Sequence, residues 1–147
     1  MLDADDSGAI IKDLAPKGAK PDVLRDLQHL LGRAKNAGLT PAEAQAAAGS
    51  GREREAAEIF QAYQQRLLAF NAVDFDDLIG LPLRTLEADA ACRASWQGRL
   101  RYLLVDEYQD TNDAQYRLLR ALAGERGALT CVGDDDQSIY AWRGANP

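Results

Sequence analysis

The sequence predicts a helix-rich α/β chain, in which a series of helices leads into the first strands of a parallel sheet. Three observations carry that reading. Apolar residues recur at helical spacing through most of the first hundred positions. Two short apolar runs, "RYLLV" (101–105) and "ALTCVG" (128–133), have the length and residue type of buried strands. A capped amphipathic segment, "NDAQYRLLRALAGE", lies between them. Strand, helix and strand in that order make a right-handed βαβ unit whose two strands are parallel.

Each helix has its own signals. "DADDSGAIIKDLA" opens with acids, which suit the positive end of a helix dipole. "PDVLRDLQHLLGRAKNAG" places Val23, Leu24, Leu27, Leu30 and Leu31 at helical spacing, with Pro21 near its start and Gly38 near its end. Thr40, Pro41 and Glu43 form an N-cap, a first-turn proline and a capping box. "REREAAEIFQAYQQRLLAFN" carries Ile59, Phe60, Tyr63, Leu67, Leu68 and Phe70 on or near one stripe, and Arg52 and Arg54 fall on its solvated face. The linkers are short, so these helices pack as neighbours. "DFDDLIGLPLRTLEADAACRASWQG" reads as helical with interruptions at Gly80 and Pro82. The last helix is capped by Asn112 or Asp113 and closed by Gly124.

Both predicted strands end in acids. Asp106 and Glu107 follow the first, and Asp134, Asp135 and Asp136 follow the second. Ligands of open α/β sheets bind beyond the carboxyl ends of the strands, so both clusters belong on one ligand edge. Adjacent carboxylates repel and resist leaving water unless a cation meets them. An Asp-Glu pair there suits nucleotide hydrolysis: the Asp holds Mg²⁺ and the Glu orients or deprotonates the attacking water. Capping of the following helix is the plainer use of the same acids. In "GDDDQSIYAWRGA" (133–145), Gly133 permits a tight exit from the strand. Gln137 offers a neutral group to a terminal phosphate, and Tyr140, Trp142 and Arg143 offer a stacking and phosphate-contacting platform for single strands. Such aromatics also serve as core or interface residues.

Taken together, "LLVDEYQDTN" and "GDDDQSIYAWRGA" resemble motifs II (Walker B) and III of superfamily 1A DNA helicases of the UvrD/Rep family, the second run being most like the Rep branch. "FDDLI" (75–79) is similar to a further segment of that family. The resemblance implies an ATP-dependent motor stepping 3′ to 5′ on single-stranded DNA. It implies Asp106 as Mg²⁺ ligand, Glu107 as catalytic acid/base, and Gln137 as the group that reports the γ-phosphate. Tyr140, Trp142 and Arg143 would face the DNA strand, and Gln109 and Asp110 would link the nucleotide site to motif III. By the same resemblance, residues 1–72 correspond to the helical 1B subdomain and 73–147 to the C-terminal half of the RecA-like domain 1A. A role in DNA repair or replication follows from the family, not from the residues.

A phosphate cradle needs a Gly-Lys-Ser/Thr turn. None of the four lysines, Lys12, Lys17, Lys20 and Lys35, has that setting. The expectation is therefore an internal fragment that is inactive in isolation, with uncovered apolar sheet edges that favour self-association. Two other readings compete. One is a non-enzymatic helical docking module for protein or duplex DNA with vestigial motifs. The other is a two-cation nuclease or phosphatase built on Asp106, Glu107 and Asp134–Asp136.

Composition bounds the rest. The 147 residues carry a net charge of −6, with 12 basic and 15 acidic residues in 1–100 and 5 and 8 in 101–147, so a nucleic-acid site must be local. No stretch is apolar and long enough to span a bilayer, and the acidic N-terminus is unlike a secretory signal, which predicts a cytoplasmic protein. Cys92 and Cys131 are expected to be reduced and buried, His29 to lie at the surface, and Trp96 to serve packing.

Overall fold

A computed structural model of the chain describes residues 1–125, 127–134 and 136. The element order is α1 (Ala4–Leu14), α2 (Pro21–Asn36), α3 (Pro41–Ala47), α4 (Gly51–Ala69), α5 (Asp77–Ala88), α6 (Ala90–Arg99), β1 (Leu103–Val105), α7 (Asp113–Ala123) and β2 (Leu129–Cys131), with a 3-10 turn at Tyr108–Asp110 between β1 and α7. The chain forms two compact units. Residues 1–35 and 39–78 make the first, and 36–38 and 79–147 the second.

The first unit is helical, and its core follows the predicted stripes. Ile11, Leu27, Leu31, Ala56, Ile59, Phe60, Tyr63 and Leu67 are buried together. Four residues separate Leu27 from Leu31 and four more reach Lys35, so one face of α2 runs from apolar to charged without leaving the interior. Capping boxes start three helices of this unit: Asp3 with Asp6, Thr40 with Glu43, and Ser50 with Glu53. Each satisfies backbone donors that the first helical turn leaves open. Leu68 and Phe70, expected near the stripe of α4, are exposed, because the stripe turns away from the core after Leu67.

Lys35 is 5% exposed, and it is neutralised locally. Its Nζ lies 2.6 Å from Asp74 Oδ2 and 2.9 Å from Asp77 Oδ1. Tyr63 Oη is 2.8 Å from Asp74 Oδ2 and 2.9 Å from Ser7 Oγ. Its one proton goes to the charged acceptor, and the Ser7 hydroxyl donates back. The ammonium also sits 5.4 Å from the Tyr63 ring centroid. Burial pushes the Asp74 carboxyl up, but the Lys35 ammonium and its hydrogen bonds outweigh that, so the carboxyl stays below the ordinary aspartate range. Burial raises the Tyr63 phenol, and the adjacent carboxylates add to the rise.

In the second unit α5 runs through Gly80 and Pro82 without the predicted interruption. Proline removes one backbone donor, but Leu83 and Leu86 bury their side chains and hold the turn in place. The break falls instead at Asp89, whose side chain accepts from Ala91 and Cys92 N–H and so starts α6. Asn112, rather than Asp113, caps α7. Arg117 on α7 grips Glu87 at 2.7 and 2.9 Å and the carbonyls of Ala37 and Gly38 at 3.4 and 3.3 Å. Gly38 has φ 69°, and a Cβ there would stand 2.7 Å from Arg117 Nη1. The left-handed backbone calls for glycine.

β1 and β2 are parallel, with Leu103, Leu104 and Val105 opposite Leu129, Thr130 and Cys131. They are shorter than predicted, and they are not buried. Leu104 is 68% exposed and Val132 52%. Side chains alternate along a strand, so Tyr102, Leu104, Thr130 and Val132 share one face of the pair. All four are exposed, and Tyr102 and Thr130 are joined through their hydroxyls. Two strands alone offer no second layer for that face. Cys131 is exposed and Cys92 half-buried, contrary to the expectation for both; both are free thiols. Trp96 is likewise largely exposed, stacked beside the Arg99 guanidinium 5.6 Å away instead of packed inside. His29 lies at the surface as expected.

Candidate functional site

The two strand exits emerge at the same end of the parallel pair. The backbone continues the ladder one step beyond the strands, with Val132 N–H donating to Val105 O at 2.8 Å and Tyr108 N–H to Val132 O at 3.0 Å. The chain then turns sharply. Glu107 takes the left-handed conformation (φ 52°, ψ 42°), unusual for a residue with a side chain. Asp110 N–H donates back to Glu107 O at 2.9 Å, which closes the 3-10 turn. Asp106 and Glu107 are exposed, so the apolar run of β1 delivers the pair to solvent at the strand end.

Asp106 Oδ1 accepts the Glu107 N–H at 2.9 Å. Its second oxygen has no hydrogen-bond partner among the described residues. A carboxylate fixed through one oxygen and open at the other is a fitting ligand for a hard, partly hydrated cation. Among the described residues no group of three or more His, Cys, Asp or Glu side chains is gathered to hold a metal.

Gln109 is the central side chain of this edge. It is 2% exposed, while Tyr108 and Asp110 on either side are half-buried. Its Nε2 donates to Glu107 Oε2 at 2.6 Å, and its Oε1 accepts from Asp134 N–H at 3.0 Å. One amide thus joins the loop after β1 to the loop after β2. Asp134 Oδ1 in turn accepts from Asp136 N–H at 3.1 Å. Asp110 Oδ1 is buried and has no hydrogen-bond partner among the described residues.

The structure therefore brings together Asp106, Glu107, Gln109, Asp110 and Asp134 of the sequence-derived set. Gln137, Tyr140, Trp142 and Arg143 lie outside the described residues, as does Asp135. Two features were missed by sequence reading. Gly133 was taken as a permissive turn, but it faces the Gln109 amide closely. The Lys35–Asp74–Asp77 cluster was also missed, although Lys35 continues the Leu27–Leu31 stripe at four-residue spacing and so announces its own burial.

The family model for the UvrD/REP helicase N-terminal domain matches residues 1–147. The chain belongs to the UvrD/Rep helicase family. Its similarity to curated members of that family is high. The ATP-dependent DNA helicase Rep of Salmonella typhimurium is 45% identical over 149 residues, which takes in 100% of this chain and 22% of the relative. The Rep helicase of Escherichia coli gives the same figures. The ATP-dependent DNA helicase PcrA of Leuconostoc citreum is 44% identical over 122 residues, 83% of this chain and 16% of that protein. The chain thus spans less than a quarter of the length of these UvrD/Rep relatives. Among the described residues no helix is long and apolar enough to cross a membrane.

Proposed function

We propose that this chain is the part of an ATP-dependent DNA helicase that holds motifs II and III, with residues 1–72 as the 1B-like subdomain and 73–147 as the C-terminal half of domain 1A. In this reading Asp106 binds Mg²⁺, which offsets charge on the β- and γ-phosphates of ATP when bound. Glu107 accepts the proton of the attacking water. Gln137 contacts the γ-phosphate, and Tyr140, Trp142 and Arg143 lie along single-stranded DNA. Gln109 and Asp110 connect the nucleotide side to the stretch after β2. Stepping runs 3′ to 5′, by analogy with the family.

The observation that supports this reading most is the joining of the two acid-bearing strand exits through one buried glutamine. Acids that merely capped the helix after each strand would not need that connection, and α7 is capped by Asn112 instead. On its own the chain hydrolyses little or no ATP, since no lysine stands in a Gly-Lys-Ser/Thr turn and catalysis of phosphoryl transfer depends on several elements acting at once.

The test is a steady-state ATPase assay of the full-length helicase carrying this segment, with and without single-stranded DNA. Glu107→Gln is expected to abolish DNA-stimulated turnover while nucleotide binding persists. Retained turnover in that variant, or robust turnover by the 147-residue chain alone, overturns the assignment.

A further inference from the structure

The amide of Gln109 sits between a group that can only accept and a group that can only donate. The Glu107 carboxylate takes a hydrogen bond from Nε2 at 2.6 Å, and the Asp134 N–H gives one to Oε1 at 3.0 Å. No other assignment of the amide nitrogen and oxygen avoids opposing acceptor to acceptor. A carboxylate side chain lacks the donor, a lysine or arginine lacks the acceptor, and asparagine is one methylene shorter. The position therefore asks for glutamine.

Gly133 supports the same conclusion independently. A Cβ at Gly133 would lie 2.5 Å from Gln109 Oε1, 3.2 Å from Gln109 N and 3.3 Å from Tyr108 N. The nearest of the three is the end of the Gln109 side chain, so a Cβ there displaces the amide, and the two backbone atoms would have to give by a few tenths of an ångström. The exit of β2 passes close against the turn after β1. The turn is itself fixed, with Glu107 left-handed and held by the Asp110 N–H and Tyr108 N–H hydrogen bonds.

We propose that Gln109 is a positioning residue that fixes the Glu107 carboxylate and ties it to the backbone at Gly133–Asp134, so that movement of the β2 exit is transmitted to Glu107 through one side chain. This rests on the helicase reading above, and it specifies how the two sides of that site are coupled. Anything that shifts the segment after β2 changes the hold on the group that meets the water, without a change in how ATP itself is bound.

Two measurements on different material separate the proposal from the reading beneath it. The first is amide hydrogen exchange of the 147-residue chain. The Asp134 N–H is expected to be protected, to lose about tenfold or more of that protection in Gln109→Leu and Gly133→Ala, and to keep it in Gln109→Glu, which preserves the acceptor. The second is DNA-stimulated ATP hydrolysis by the full-length helicase. Gln109→Glu replaces the donor to Glu107 with a second carboxylate set against it, so kcat is expected to fall about 10–100-fold with KM for ATP unchanged. Gln109→Glu is close to isosteric, so it keeps the test open if the Leu or Ala variants do not fold. An unchanged kcat in Gln109→Glu, or an unprotected Asp134 N–H in the unsubstituted chain, overturns the proposal. No turnover in the unsubstituted full-length helicase overturns the helicase reading and the positioning role with it, while the exchange data still report whether the clamp forms.

Discussion

Replacing Lys35 by methionine is expected to destabilise the first unit severely. The substitution keeps the volume of the stem and deletes the ammonium. Asp74 and Asp77 then face each other with side chains only 9% and 2% exposed, so solvent screening does little to relieve them. Removing one partner of a buried ion pair costs about 3–5 kcal/mol, because the other charge is stranded. Two carboxylates share this ammonium, which places the expected loss at the upper end of that range. With a urea slope of about 2 kcal/mol/M for a domain of this size, the unfolding midpoint drops by about 2 M. Urea denaturation followed by far-UV circular dichroism reads the change. Neutralising both acids as well, in Lys35→Met with Asp74→Asn and Asp77→Asn, is expected to recover most of the loss, since a buried ion cluster replaced as a whole is often close to neutral. A loss below about 1 kcal/mol for Lys35→Met alone would show that water reaches the site and that the cluster is not a low-dielectric one.

The same cluster sets a pH window. The folded-state pKa of Asp74 lies below its unfolded value, so its contribution is complete above about pH 4 and is lost as pH falls through the folded value. Tyr63 is raised in the folded state, so folding disfavours its ionised form and stability falls as pH rises beyond about 10. Thermal unfolding from pH 3 to 11 is expected to give a plateau with both flanks falling, and Tyr63→Phe is expected to flatten the alkaline flank; an alkaline flank unchanged in that variant refutes the assignment. Lysine at Leu104 and Val132 is expected to reduce self-association of the 147-residue chain, because both side chains lie on the uncovered face of the strand pair. Sedimentation equilibrium reads the outcome, and an undiminished associated fraction shows that another surface is responsible.

The helices were legible because their determinants are local. Asp3, Thr40, Ser50 and Asn112 each cap the helix that follows them with side-chain atoms a few residues away. The apolar stripe of α2 and most of that on α4 were equally plain, since one face of a helix carries its own record of burial. Where sequence reading failed, the deciding contact was distant or absent. Pro82 looked like a breaker because propensity speaks against it, but buried Leu83 and Leu86 overrule propensity. The strands looked buried because apolar runs usually are, yet burial of a strand is decided by what covers the sheet. Nothing in "RYLLV" itself states whether a second layer is present.

The site shows the same division between local and distant causes, with a sharper consequence. Asp106 and Glu107 could be marked from the chain alone, because an acidic pair at the end of an apolar strand has few uses. Gln109 could be marked only as a member of a motif; what makes it informative is a hydrogen bond to Asp134, 25 positions away. Gly133 is the other half of that contact. Two residues that read separately as a polar loop position and a flexible turn are one packing unit, and the requirement each imposes on the other is visible only in three dimensions.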